Sequence, residues 1–409
     1  MTIGAFELGR LPRITFGPGR FESLPETVAR HGRYALIVTG SRSFKASNHW
    51  PWLLEQLDRL GVRHDTVAVG GEPSPEVVDE AVAAFRRSEV DVVVGIGGGS
   101  ALDTAKAIAG LLRTGTSVMD HLEVVGRGLP YPGPAVPLVA VPTTAGTGSE
   151  ATRNAVLSRP GPGGFKRSFR DERLVAADAI VDPDLLVGAS PAVVAANGLD
   201  AVTQLLESFV SRRASPITDS LARSGLAAAR DGFIAFWSDP SPAGDPGARS
   251  AMAYAALVSG ICLANAGLGV SHGLAAPLGG RFEIPHGVAC GATLVEGVRA
   301  NVRALATRGA NGSAAALAKY AEAGRILANL EPGTPDDRAR EALIETLAAW
   351  TSRVSLQGLA GYGMGESDIE AIVAESRAGS MLTNPVELSD DELAGVLGAS
   401  QWARGGDTG

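Results

Sequence analysis

Val92-Val93-Val94-Gly95-Ile96-Gly97-Gly98-Gly99-Ser100-Ala101-Leu102-Asp103-Thr104-Ala105-Lys106 reads as an apolar strand, a triple-glycine turn and the start of a helix. Glycine lets the backbone approach a ligand closely and adopt positive φ. The free N–H groups at the following helix start attract an anion. Gly97, Gly98, Gly99 and Ser100 therefore predict a phosphate or pyrophosphate cradle. Asp103 falls in the first turn, where negative charge suits the helix dipole, and is counted with that turn. The spacing is neither G-x-G-x-x-G nor a P-loop. A second turn, Pro142-Thr143-Thr144-Ala145-Gly146-Thr147-Gly148-Ser149-Glu150, also closes an apolar run. Its Thr143, Thr144, Thr147 and Ser149 hydroxyls could wrap the nicotinamide-ribose end of a dinucleotide. Two such turns on one sheet predict a ligand at the carboxyl ends of the strands.

The next positions with chemical potential lie further on. Asp200 and Gln204 are four apart, so they share one helix face. His272 and His286 are two of six histidines and fall within one Gly/Ala-rich segment. A single histidine is more often a core or surface residue than a ligand, and spacing alone leaves both readings open. The strand-like Leu36-Ile37-Val38-Thr39 ends in Gly40-Ser41-Arg42. A carboxylate at such a strand end binds the adenosine ribose and repels a 2′-phosphate. Gly40, Ser41 and Arg42 offer none, which favours NADP(H) and leaves NAD(H) open.

The elements that must position these residues change character along the chain. Up to about residue 187, short apolar runs (35–40, 65–69, 90–96, 137–141) alternate with helical patterns (75–87, 101–112). That alternation predicts a parallel sheet covered on both faces. From residue 188 the strand signal ends, and 191–212, 216–237, 248–265, 298–328, 336–353 and 366–376 read as helices. The expectation is an α/β domain over 1–187 and an all-helical domain over 188–409. The stretch from Pro160 to Gly164 reads as a surface loop or hairpin.

Composition narrows the classes. The 409 residues include 52 glycines and carry a formal charge of −8. A negative chain without a basic run predicts no nucleic-acid partner. Two cysteines, Cys262 and Cys290, exclude a disulfide scaffold and point to a reducing, cytoplasmic setting. Residues 250–280 are long enough to span a membrane, but Asn265, Ser271, His272 and Pro277 interrupt them, so they read as buried helix and no membrane is expected. Residues 1–10 lack a basic region followed by an apolar core, so no signal peptide is expected.

Taken together, Gly97-Gly98-Gly99-Ser100-x-x-Asp103-x-x-Lys106, Pro142 to Glu150, Asp182-Pro183, Gly198-Leu199-Asp200-Ala201, His272-Gly273, Pro285-His286-Gly287 and Asn384-Pro385 resemble the iron-containing (group III) alcohol dehydrogenase family. The resemblance runs over nearly the whole chain. It implies a Rossmann-like dinucleotide domain followed by a helical domain, the fold shared with dehydroquinate synthase. It also implies a nicotinamide cofactor, NADP(H) or NAD(H), and a divalent metal, Fe or Zn, in the cleft between the domains. The implied reaction interconverts an alcohol with an aldehyde or ketone, in a homodimer or larger homo-oligomer joined through Arg13-Ile14-Thr15-Phe16.

By the same resemblance Asp200, His272 and His286 fill three of the family's four metal positions. Gln204 stands where the family has a third histidine. Ala276 stands where another histidine often relays the alcohol proton, which leaves water, a ribose hydroxyl or His121 as the route. Phe165, Phe169, Phe282 and Cys290 are candidate pocket walls. Two other readings stay open: a nucleotide-binding member with lost or altered chemistry, and a dehydroquinate synthase-like lyase. The lyase needs a basic phosphate pocket, and residues 250–280 supply no Lys or Arg.

Overall fold

The computed structural model describes residues 4–161, 163–309 and 312–401. The chain divides into two compact units. One comprises Gly9–Arg159 with Gly164–Val187, and the other takes the chain from Gly188 onward together with the described parts of Met1–Leu8 and Pro160–Gly163.

The first unit is built on six parallel strands: β1 (Arg13–Phe16), β2 (Tyr34–Gly40), β3 (Arg63–Val69), β4 (Val92–Gly97), β5 (Leu138–Pro142) and β8 (Asp178–Val181). Their order in the sheet is β1-β8-β5-β4-β2-β3. Two further strands, β6 (Asn154–Arg159) and β7 (Phe165–Arg170), pair antiparallel as a hairpin. The Pro160–Gly164 stretch thus connects a hairpin, with Pro162 outside the described residues.

Alternate side chains of the central strands enter two different cores. Leu36, Val38, Val93, Leu138 and Ala140 pack with Val78 of α3 (Pro75–Phe85) and with Leu102 and Ile108 of α4 (Gly99–Leu111). Ile37, Val92, Val94, Ile96 and Val141 pack with Leu24 and Val28 of α1 (Leu24–His31) and Leu53 and Leu57 of α2 (His49–Arg59). Burial on both faces explains why these strands read as continuous apolar runs. The sheet has β3 on one side of β2 and β4 on the other. The winding direction therefore reverses at β2, and the carboxyl ends of β2 and β4 form the switch point where such sheets bind ligands.

The second unit contains α5 (Pro191–Val210), α6 (Pro216–Ser238), α7 (Pro246–Ala266), α8 (Val270–Arg281), α9 (His286–Arg308), α10 (Ser313–Leu327), α11 (Asp336–Arg353), α12 (Ile369–Glu375) and α13 (Asp390–Ala399). Two expected boundaries need correction. The single helix expected over 298–328 is the end of α9 and all of α10, separated by Gly309 and Gly312 at φ +57° and +90°. The apolar 250–280 stretch is two helices broken at Gly267–Gly269. One of them, Pro246–Ala266, is long and apolar enough to cross a membrane, but 67% of its most apolar window is buried in the protein. Cys262 and Cys290 are both free thiols and buried.

Candidate functional sites

The two Gly/Thr turns meet. β4 and β5 are neighbours with Gly97 opposite Pro142, and the Thr143 N–H donates to the Gly97 carbonyl at 2.9 Å. Gly97 has φ +154°, and a Cβ there would lie 2.7 Å from the Ala101 Cβ and 3.5 Å from the Gly40 nitrogen. A Cβ on Gly99 would lie 2.8 Å from Thr147 Cγ2. Only glycine leaves the α4 N-terminus this open while the Thr147 loop closes over it. The helix begins at Gly99 after Gly98, which has no side chain to cap it, and its first N–H groups have no side-chain partner among the described residues. This geometry fits an anionic dinucleotide backbone, with Gly40, Gly97, Gly98, Gly99, Ser100, Thr143, Thr144 and Thr147 gathered at adjoining strand ends. Ser41 and Arg42 follow β2 directly and are exposed.

Asp103 and Ser149 have internal partners instead. The Ser149 hydroxyl donates to Asp103 Oδ1, and the Val156 N–H donates to Asp103 Oδ2 at 3.1 Å. Buried Lys106 donates from Nζ to Ser149 Oγ (3.0 Å), the Ser149 carbonyl (2.8 Å), Thr152 Oγ1 (2.9 Å) and the Asn154 carbonyl (2.6 Å). Its charge is thus fully coordinated by protein, although burial pushes the ammonium pKa down. Asp103 and Lys106 tie α4 to the second turn and to β6. Glu150 ends that turn, 3% exposed, and burial pushes its carboxyl up to about 7 against the pull of its own N–H and Lys106.

Both ring nitrogens of His121 have partners within the first unit. Its Nδ1 donates to the Leu129 carbonyl at 2.9 Å, so Nε2 accepts from Thr116 Oγ1, also at 2.9 Å. The ring stacks on Phe169 at 5.5 Å. Phe165 and Phe169 belong to the core of the first unit.

In the helical unit, α5 starts cleanly. Pro191 occupies its first turn and the Ser190 hydroxyl caps the Val193 N–H. From Gly198 to its end α5 is buried, and Asp200, Gln204 and Glu207 share one face of it. Pro285 precedes α9 and sets His286 at its first position, with Cys290 one turn later. One ligand atom each from Asp200, His272, His286 and Cys290 lie within 4.8 Å of one another. Asp200 Oδ1 is 3.3 Å from His272 Nε2 and 3.9 Å from His286 Nε2, and Cys290 Sγ is 3.8 Å from that same His286 nitrogen.

Both Asp200 oxygens and His272 Nε2 are buried without a hydrogen-bond partner among the described residues. Such groups are costly unless a cation meets them. Burial pushes the Asp200 carboxyl up, but the neighbouring His286 and His272 imidazoles outweigh it and hold the pKa low. The donor set fits a divalent metal.

Glu207 completes the arrangement. Its Oε2 accepts from His272 Nδ1 at 2.7 Å and from the Gly269 N–H at 2.9 Å, while Oε1 accepts from the Ser271 N–H at 2.6 Å. The carboxylate thereby caps α8 and fixes the His272 tautomer, leaving Nε2 as a lone-pair donor. Asn384 takes the next amide of that helix, Val270 N–H, at 3.1 Å, and pairs with Asn301. Gln204 Oε1 accepts from the Ser259 hydroxyl of α7 at 2.6 Å. Ala276, one turn beyond His272, contributes no proton donor.

Sequence reasoning put Cys290 among pocket walls and gave Glu207 no role. The signal for Cys290 was its i+4 spacing from His286. For Glu207 it was the i+7 spacing from Asp200.

This site and fold place the chain in a family. The sequence model of the iron-containing alcohol dehydrogenases matches residues 12–183, and that of the family's C-terminal region matches 194–401. The chain belongs to the iron-containing alcohol dehydrogenase family and is by class an oxidoreductase. It is 34% identical to long-chain-alcohol dehydrogenase 1 of Geobacillus thermodenitrificans over 95% of this chain and 96% of that one. It is 30% identical to lactaldehyde reductase of Escherichia coli over 92% and 95%. The crystal structure of a 1,3-propanediol oxidoreductase superposes with TM-score 0.86 at 28% identity, covering 97% of this chain and all of that one.

Proposed function

We propose that this protein catalyses reversible hydride transfer between NAD(P)(H) and an alcohol or its aldehyde or ketone, with a divalent metal held by Asp200, His272 and His286. The observation that carries this is the Asp200–His272–His286 group, in which buried Asp200 and His272 hold both carboxylate oxygens and Nε2 without a hydrogen-bond partner among the described residues, with half-buried His286 beside them and Glu207 orienting His272. Bound there, a divalent cation would act as a Lewis acid on the substrate oxygen. The nicotinamide ring supplies or accepts the hydride.

The chain's own residues do the rest. Asp200 stays ionised beside two imidazoles and supplies fixed negative charge. Glu207 holds His272 with its proton on Nδ1. The first N–H groups of α4, with Thr143, Thr144 and Thr147 on the neighbouring turn, would hold the pyrophosphate. Gly40-Ser41-Arg42 sets no carboxylate against a 2′-phosphate, which supports NADP(H) over NAD(H). Alanine at 276 offers no side-chain proton donor or acceptor at that position, so the substrate proton would need another carrier, such as solvent. The relatives' names support alcohol and aldehyde substrates and span short and long chains. Strand β1 lies at the sheet edge with β8 as its partner, which supports a homo-oligomer joined there.

Metal-loaded protein incubated with a carbonyl panel and NADPH or NADH tests the reading. Consumption of reduced nicotinamide is expected, faster with NADPH and abolished in Asp200→Ala. A loaded protein that turns over none of the panel would sink the proposal, and phosphate release without net nicotinamide consumption would favour the lyase.

A further inference from the structure

We propose that Cys290 is the fourth metal ligand, bound as a thiolate, and that Gln204 stands outside the coordination sphere. This rests on the metal-binding reading above and goes beyond it, because it changes the donor set from amide or water to sulfur.

Three observations carry it. The first is distance. A tetrahedral ion with bonds of about 2.0–2.3 Å to oxygen, nitrogen and sulfur has ligand–ligand edges of about 3.3–3.6 Å. Three of the six edges among His272, Asp200, His286 and Cys290 measure 3.3, 3.9 and 3.8 Å, within about 0.6 Å of that range, and all six are shorter than 4.8 Å, so a modest contraction closes the four atoms around one ion. The second is direction. Cys290 is one turn after His286 on α9, so both side chains leave the same helix face, and the thiol is fully buried. Cys262, the other cysteine, is turned to the Thr218 carbonyl instead, at 3.6 Å. The third is the state of Gln204. Its amide oxygen accepts the Ser259 hydroxyl of α7 at 2.6 Å, which gives the side chain a protein partner of its own, whereas the Asp200 oxygens and His272 Nε2 have none among the described residues.

Charge points the same way. Asp200 and a Cys290 thiolate together neutralise a divalent ion, whereas Asp200 with a neutral amide leaves one positive charge buried. On binding, the S–H bond breaks, the sulfur keeps the electron pair for the metal, and the proton leaves to solvent. Thiolate is a soft ligand, so the site favours Zn(II) or Co(II) over Fe(II).

The test uses full-length protein stripped by chelation and reloaded with Co(II). The expected spectrum has visible ligand-field bands and an intense near-ultraviolet thiolate-to-cobalt charge-transfer band. Cys290→Ser should lose the charge-transfer band and bind Co(II) more than about tenfold more weakly. Cys290→Ala serves as a second variant, with circular dichroism checking the fold of each. Gln204→Met should keep the wild-type spectrum. Thiol titration of the loaded protein should leave Cys290 protected until the metal is removed. Cobalt bound with ligand-field bands but no charge-transfer band would overturn the thiolate while leaving the metal reading intact. Failure to bind Co(II) at any site sensitive to Asp200→Ala would overturn both.

Discussion

At Asp200 the sequence places a carboxylate on a buried helix face that also carries Gln204 and Glu207, and among the described residues its two oxygens meet no hydrogen-bond donor. A buried, ionised carboxylate without donors is unfavourable unless a cation joins it. Glu207, a further residue on the same face, is satisfied by three donors and acts on His272 instead. This contrast assigns the two acids different tasks. Removing the outer partner of a metal-binding imidazole typically weakens metal binding 10–100-fold. Glu207→Gln turns an amide NH₂ toward a backbone N–H or toward His272 Nδ1, so a loss of about that size is expected in a competitive chelator titration. An unchanged affinity would show that Glu207 merely caps α8. Asp200, His272 and His286 were legible only through the resemblance, because each is a common residue type with no diagnostic spacing. Glu207 and Cys290 had helical spacing as their only signal, and that spacing is shared by many core pairs.

At the scale of elements, β4 with its glycine turn was plain in the sequence, because a strand buried on both faces is a run of apolar residues and three glycines punctuate its end. The four-residue strand β8, and the break between α9 and α10, were not. One is too short to show a period, and at the other an alanine-rich helical pattern continues across the glycines. The turn itself makes a specific prediction. Gly99→Ala puts a Cβ 2.8 Å from Thr147 Cγ2, so the loop must move off the α4 N-terminus. Dinucleotide affinity should fall about tenfold, roughly 1.4 kcal/mol, with kcat and metal content little changed. A wild-type dissociation constant in a fluorescence titration would remove that turn from the binding site.

The second turn predicts a pH effect through Glu150. Its folded-state pKa is raised from 4.5 to about 7, first of all by burial. Between those values the folded chain keeps a proton that the unfolded chain has lost, so stability falls as pH rises through this window. The interval corresponds to about 3 kcal/mol as an upper figure. Glu150→Gln should therefore be more stable than wild type in urea at pH 8, with the advantage fading by pH 4.5. Parallel stability curves across that range would show that the carboxyl is not raised.

For the whole molecule, the net charge of −8 offers no attraction to the anionic cofactor proposed above, and the backbone N–H groups at the start of α4 are the local feature proposed to hold it. The two candidate ligands also separate by unit. Every residue proposed for the dinucleotide lies before residue 188, and every proposed metal ligand lies after it. A ligand that binds only the folded state stabilises it by RT ln(1 + [L]/Kd), about 2.7 kcal/mol at a hundredfold excess over Kd. Each ligand should therefore raise the unfolding temperature of the full chain, and variants should cancel the shifts one at a time. Asp200→Asn should abolish the shift produced by Zn(II) and keep that produced by NADPH. Gly99→Ala should shrink the NADPH shift and keep that of Zn(II). If Asp200→Asn erased both shifts while circular dichroism and the unliganded midpoint stayed normal, the dinucleotide would depend on the metal centre for binding. The assignment of one ligand to each unit would then be wrong.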